Sequence, residues 1–94
     1  MVIVIEDGGV HMDDPSDFKG FKVVVREGED PGAIAAVGRL ADADTAWIDV
    51  DAVRNLAGAA AQVPGWEDDF AGMLAYARTK GWLDDAGAAI QAHI

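Results

Sequence analysis

The residues best suited to chemistry lie in an acidic segment, residues 6–17, near the start of the chain. It holds one of the two histidines, His11, among five carboxylates: Glu6, Asp7, Asp13, Asp14 and Asp17. An imidazole titrates near neutral pH and can serve as a general acid or base, and carboxylate oxygens are the ligands that Ca²⁺ and Mg²⁺ prefer. The spacing nevertheless lacks the alternating ligands, central glycine and terminal glutamate of an EF-hand loop. We therefore interpret the segment as a solvated acidic loop and expect neither a metal nor another cofactor.

A catalytic hypothesis depends on His11. In it, a compact dimeric α+β enzyme uses His11 as general acid or base in a pocket between sheet and helices, with Asp13, Asp49 or Tyr76 assisting. The chain has no glycine-flanked nucleophile turn and no glycine-rich phosphate-binding pattern, so no motif independently favours catalysis. The hypothesis requires His11 to line a closed cavity.

Composition excludes several classes of protein. The 94 residues hold 17 Asp and Glu against 7 Lys and Arg, giving a net charge of −10, and no cysteine. Binding to nucleic acid or to an anionic membrane needs clustered cations, which the scattered lysines and arginines do not supply. The absence of cysteine excludes disulfides and thiolate metal sites. Met1 runs into an apolar stretch without a basic leader, and no apolar run approaches membrane-spanning length, so we expect a cytoplasmic protein.

The segment from Trp66 to Lys80 carries the clearest structural signal, because both ends of a helix are specified. Three acids, residues 67–69, occupy the first turn, and Arg78 and Lys80 occupy the last, as the helix dipole favours. Gly81 follows as a residue able to end a helix in the left-handed conformation. One helical stripe collects the apolar side chains Trp66, Phe70, Met73, Leu74 and Ala77.

The order of the remaining elements predicts a single α+β domain over residues 1–94, with a small, mostly antiparallel sheet packed against helices. We expect strands near 2–5, 10–12, 21–26 and 45–48, and helices near 31–41, 50–61, 66–80 and 85–93. Asp30, Asp49 and Asp84 or Asp85 stand where they can cap the first, second and last of these helices. We also expect the three tryptophans to lie in the core, since so short a chain needs its large residues inside.

Size, charge and the lack of catalytic motifs favour a small acidic protein-binding or regulatory module without catalysis of its own. An acidic surface steers association toward a basic patch on a partner protein. A core rich in alanine buries little area per residue, so we also expect a homodimer. Because like charges repel, its contact should avoid the acidic segment 6–17 and use helix faces or a strand edge.

Overall fold

A computed structural model describes all residues, 1–94, and contains one six-stranded sheet and two α-helices. The strands are β1 (Val2–Glu6), β2 (Gly9–Asp13), β3 (Lys22–Val25), β4 (Gly38–Leu40), β5 (Thr45–Asp49) and β6 (Ala89–His93). The α-helices are α1 (Val50–Ala57) and α2 (Trp66–Lys80), and two 3₁₀ helices span Pro31–Ala36 and Gly58–Gln62. The α+β class is confirmed. None of the helices is long and apolar enough to cross a membrane.

The sheet has the order β2-β1-β3-β6-β5-β4. Three of its pairings are antiparallel, β1–β2, β4–β5 and β5–β6, and two are parallel, β1–β3 and β3–β6. The sheet curls, so that both outermost strands, β2 and β4, contact the first 3₁₀ helix. The shortest strand pairing in the sheet is that of β3 with β6, which involves only Lys22 and His93. The sheet is therefore nearly divided into two three-stranded halves.

The core lies on the side of the sheet that the helices cover. Alternate residues of the strands point into it, among them Ile3, Ile5, Ile48 and Ile90, as the period of two in a strand requires. Phe70 of α2 is fully enclosed and packs against Trp66, with ring centroids 4.9 Å apart. All the buried residues are apolar.

Helix α2 has the bounds that its sequence predicts. Gly65 and Gly81 flank it with φ of 90° and 77°, a left-handed conformation that costs glycine no Cβ clash. The Trp82 N–H donates to the Ala77 carbonyl at 2.9 Å, which satisfies one of the free carbonyls of the last turn. The chain direction after the helix is thereby fixed, and with it the position of Trp82.

The predicted helix near 85–93 is wrong, because residues 89–93 form β6 and pair along their whole length with β5. Asp84 caps a turn instead of a helix. Its Oδ1 accepts the N–H groups of Ala88 at 2.7 Å and Ala89 at 3.2 Å, and Gly87 takes a φ of 69°. The turn directs the chain back along the sheet, where strand pairing satisfies the backbone.

The predicted helix near 31–41 is too long. Asp30 does cap its start, accepting the Gly32 N–H at 2.8 Å, but the helix is of the 3₁₀ type and ends at Ala36. Gly38 then begins β4, and its backbone lies so close to the Trp47 carbonyl that a Cβ there would collide with the oxygen. Pairing with β5 therefore replaces the end of the predicted helix.

The predicted helix near 50–61 is interrupted. Its α-helical part ends at Ala57, because Gly58 takes a φ of 59°, and a 3₁₀ helix continues to Gln62. Asp49 occupies the N-cap position of α1, yet its side chain makes no capping hydrogen bond. The predicted capping role of Asp49 is therefore wrong.

Candidate functional site

The main concave feature of the protein is a cleft, here called the aromatic cleft, between residues 18–21, one side of α2, Trp82 and β6. It consists of three adjoining cavities. The sheet-side cavity, of about 250 Å³, is lined by Phe21, Thr45, Trp82, Gln91, Ala92 and His93. The central cavity, of about 100 Å³, shares Phe21, Trp82 and Gln91 with it. The helix-side cavity, of about 380 Å³, shares Phe18, Lys19, Met73 and Tyr76 with the central one.

The division of the sheet explains why a cleft forms at this place. Where β3 and β6 part, residues 18–21 lie against the end of β6 and against α2. The amino group of Met1 holds this segment by donating to the carbonyls of Asp17 at 2.7 Å and Gly20 at 2.9 Å. Burial lowers the pKa of that amino group from its ordinary value of 8.0. The Met1 side chain is itself buried, so the segment is anchored to the core.

Trp66 fixes the other end of the same loop. Its indole N–H donates to the Pro15 carbonyl at 2.9 Å, and its ring packs edge-on against Phe18 with centroids 5.7 Å apart. Trp66 is buried and belongs to the core cluster. The Phe18 wall of the cleft therefore packs against Trp66, which is buried and held by a hydrogen bond.

The open side of the cleft carries an exposed aromatic pair. Tyr76 is 57% exposed and Trp82 is 45% exposed, and their ring centroids lie 6.1 Å apart in an edge-to-face arrangement. The Lys80 ammonium lies 5.6 Å from the centre of the Tyr76 ring, within range of a cation–π interaction. The other two exposed large apolar side chains, Leu40 and Val63, line none of the cavities.

The cleft differs in charge from the rest of the molecule. No aspartate or glutamate lines any of its three cavities, although the chain has 17 of them. Lys19 lines two of the cavities, Lys80 stands over Tyr76, and Lys22 is the register partner of His93. The lining of the aromatic cleft thus holds no carboxylate, and Lys19 and Lys80 place positive charge beside its aromatic side chains, on a strongly acidic protein.

The structure brings His11 and Asp13 together, as the catalytic hypothesis requires. His11 Nε2 lies 3.4 Å from Asp13 Oδ1 and 3.5 Å from Glu6 Oε1, and Arg26 Nε lies 3.6 Å from the second Glu6 oxygen. The His11 side chain is 44% exposed and lines none of the three cavities. No group of three or more His, Asp or Glu side chains is arranged to hold a metal ion.

Asp49 and Tyr76, the other two residues of that hypothesis, lie in other parts of the fold. Asp49 ends β5, four places from the strand of His11 in the sheet order, and its N–H donates to the Val37 carbonyl at 2.8 Å. Tyr76 lies on α2 and lines the central and helix-side cavities, neither of which includes His11. The four residues therefore share no cavity.

The three tryptophans have three different environments, so the expectation of an all-core set is wrong in part. Only Trp66 is fully buried, while Trp47 is half-buried with the Arg39 guanidinium 5.7 Å from its ring centre. Trp82 is exposed in the cleft. Sequence reasoning missed Phe18, Phe21 and His93 as site residues. The available signal was two phenylalanines in or beside a predicted loop, outside any helical stripe.

No protein-family model, no curated protein and no solved structure matches the chain.

Proposed function

We propose that this protein is a small acidic protein-binding module without catalytic activity of its own, and that the aromatic cleft is its docking surface. The supporting observation is the exposed Tyr76–Trp82 pair beside cavities walled by Phe18 and Phe21. Aromatic side chains are enriched at interfaces, because they combine a large apolar area with few rotatable bonds. Exposed aromatic side chains in a concave, carboxylate-free surface favour a docking role over a purely structural one.

The distribution of charge gives the acidic surface and the aromatic cleft different roles in binding. The carboxylates lie outside the cleft, for example in the turn at residues 27–30 and in the first turn of α2 at residues 67–69. At a net charge of −10, they draw in a partner that carries a basic patch and accelerate the encounter. The cleft then supplies the apolar anchor, which controls the rate of dissociation.

The position of His11 supports a non-catalytic role. A general acid or base works where a cavity holds the substrate within hydrogen-bond reach and excludes water. His11 and its carboxylate neighbours instead lie on an exposed part of the sheet, outside all three cavities.

We also propose that the protein self-associates through the aromatic cleft, so that a second copy of the chain competes with the partner protein for this surface. Two copies that each carry a net charge of −10 repel one another across most of their surfaces. The aromatic cleft is a surface where that repulsion is reduced, because no carboxylate lines it. A homodimer contact there would use residues outside the acidic segment 6–17, because none of that segment lines the three cavities.

Affinity capture with two matched double variants tests the proposal. Tyr76→Ser/Trp82→Ser removes the exposed aromatic pair, and Leu40→Ser/Val63→Ser removes the two exposed apolar side chains outside the cleft. We expect immobilised wild type and the Leu40/Val63 variant to retain the same proteins from a cell extract, and the cleft variant to lose them. Retention should weaken as salt rises. An identical set on all three proteins would overturn the proposal.

A further inference from the structure

We infer that the sheet-side cavity of the aromatic cleft is a carboxylate subsite that takes the C-terminal residue of the partner chain. The inference rests on the proposed docking function and names the chemistry that the cleft recognises. Its basis is the set of hydrogen-bond donors that the strand register places beside two aromatic walls.

The donors come from neighbouring strands. Lys22 of β3 and Thr45 of β5 are both register partners of His93 of β6, so the three side chains stand in one row on the same face of the sheet. Gln91 lies two residues before His93 and therefore on the same face. The polar side chains that line the sheet-side cavity are those of Thr45, Gln91 and His93, which can all donate hydrogen bonds to an anion. The Lys22 ammonium lines none of the cavities and lies in the same row, on the strand beside His93.

The walls of the same cavity select an apolar group beside the anion. Phe21 and Trp82 face the cavity, whose volume of about 250 Å³ is below the range of about 300–1,000 Å³ that is usual for drug-sized ligands. Such a volume suits one amino-acid residue. A terminal residue with an apolar or aromatic side chain and a free carboxylate satisfies both the walls and the donors.

The shape of the cleft favours a chain end over an internal acidic residue. The sheet-side cavity continues into the central cavity through Phe21, Trp82 and Gln91, and from there to the apolar surface of Met73 and Tyr76. A C-terminal residue places its carboxylate at one end and lets the preceding residues follow this path. An internal aspartate or glutamate would need the chain to leave the sheet-side cavity in a second direction.

The Asp42 carboxylate lines none of the three cavities, although it lies close enough to His93 for the two to interact electrostatically. Its Oδ1 already accepts the backbone N–H groups of Asp44 at 2.8 Å and Thr45 at 2.9 Å. These bonds hold the charged carboxylate in its own turn, while Lys22 supplies a positive charge on the strand at the other side of His93.

The test uses a library of N-acetylated random hexapeptides, prepared once with a free C-terminal carboxylate and once as the C-terminal amide. Retention of each form on the immobilised protein is measured by mass spectrometry. We expect the free acids with an apolar last residue to be enriched at least tenfold over the same sequences as amides. Wild type is compared with Lys22→Gln/His93→Ala and with the control His11→Ala/Arg26→Gln, which also removes one cation and one histidine from the sheet but outside the cleft.

The preference for the free acid should disappear in the Lys22/His93 variant and persist in the His11/Arg26 control. Equal retention of acids and amides by wild type, with loss of both in the Tyr76/Trp82 variant, would overturn the carboxylate subsite and leave the docking proposal standing. Equal retention by wild type and the Tyr76/Trp82 variant would overturn both. Enrichment of amides that carry an internal glutamate or aspartate would overturn the assignment of a chain end.

Discussion

The ring of Trp82 packs edge-on against the ring of Tyr76, with centroids 6.1 Å apart and planes inclined at 66°, although about half of each side chain remains exposed. Tyr76 belongs to the last turns of α2, and the Trp82 N–H closes that helix on the Ala77 carbonyl. The cap that ends the helix therefore also positions the aromatic pair. Because neither ring is enclosed by the core, the pair is available to a partner.

The first prediction separates this pair from the core. We expect Tyr76→Ser and Trp82→Ser each to lower the free energy of unfolding by less than Phe70→Ala does, since each removes an edge-to-face pair worth about 0.5–1.5 kcal/mol and a side chain that is only about half buried. Phe70→Ala should cost about 3–5 kcal/mol, since it opens a cavity around a side chain with no exposed surface. Urea unfolding measures all three. A Trp82 variant as unstable as the Phe70 variant would show that the aromatic pair has a structural role.

The second prediction concerns two glycines with opposite surroundings. Gly38→Ala should strongly destabilise the fold, because the new Cβ meets the backbone of Trp47 and Ile48 where β4 joins β5. Gly72→Ala should stabilise it by about 0.5–1 kcal/mol, since Gly72 lies in the interior of α2 with open space around its Cα and alanine favours helix. Thermal melting of both variants provides the comparison. Similar melting temperatures for the two would contradict the close β4–β5 approach.

The third prediction is a pH dependence at the β4–β5 turn. Hydrogen bonds from the Asp44 N–H and from Thr45 lower the pKa of Asp42 below its ordinary value of 3.8. Because the folded-state pKa is the lower one, the ionised carboxylate stabilises the fold, fully above pH 3.8 and progressively less as the pH falls through the lowered value. We expect Asp42→Ala to lower the melting temperature at neutral pH, and to lower it progressively less as the pH falls below 3.8.

Asp44→Ala is the control for this experiment, because the Asp44 side chain caps nothing, while its backbone groups keep their bonds to Asp42 and Ile94. Its melting temperature should follow that of wild type across the range. An Asp42 effect of constant size from neutral to acidic pH would show that ionisation of the carboxylate contributes nothing.

The fourth prediction is self-association through the cleft. We expect sedimentation velocity at micromolar concentration in moderate salt to show a dimer of the 9.9 kDa chain. Lower salt should favour the monomer, because screening of the like charges weakens. The Tyr76→Ser/Trp82→Ser variant should be monomeric and the Leu40→Ser/Val63→Ser control dimeric. A single monomeric species for wild type would show that the cleft does not mediate self-association.

The sequence predicted those elements whose ends are encoded locally. Helix α2 has glycines at both ends and a complete apolar stripe, so its limits follow from helix chemistry alone. Residues 89–93 mislead because Ala89, Ile90 and Ile94 also fit a helical face. Their actual alternation, with Ile90 and Ala92 in the core, becomes decisive only once β5 is available as a partner. Long-range pairing overrode local propensity there and again at Gly38.

The candidate site could not be predicted, because it joins residues that are far apart along the chain. Phe21 and Trp82 meet only where β3 and β6 diverge, and that junction depends on the strand order. The sequence pattern placed His93 at the end of a helix. It therefore did not indicate that His93 lies beside Lys22 and Thr45 on adjacent strands. His11 and Asp13, by contrast, lie two residues apart on one strand, and their proximity follows from the pattern.

Docking of a protein partner in the aromatic cleft, and on no other surface, is what we propose for this protein. It is tested most directly by calorimetric titration of a purified captured partner into wild type, Tyr76→Ser/Trp82→Ser and Leu40→Ser/Val63→Ser. We expect the cleft variant to bind at least about tenfold more weakly than wild type, a loss of about 1.4 kcal/mol, and the Leu40/Val63 control to bind within about twofold of wild type. Equal affinities for all three proteins would contradict it.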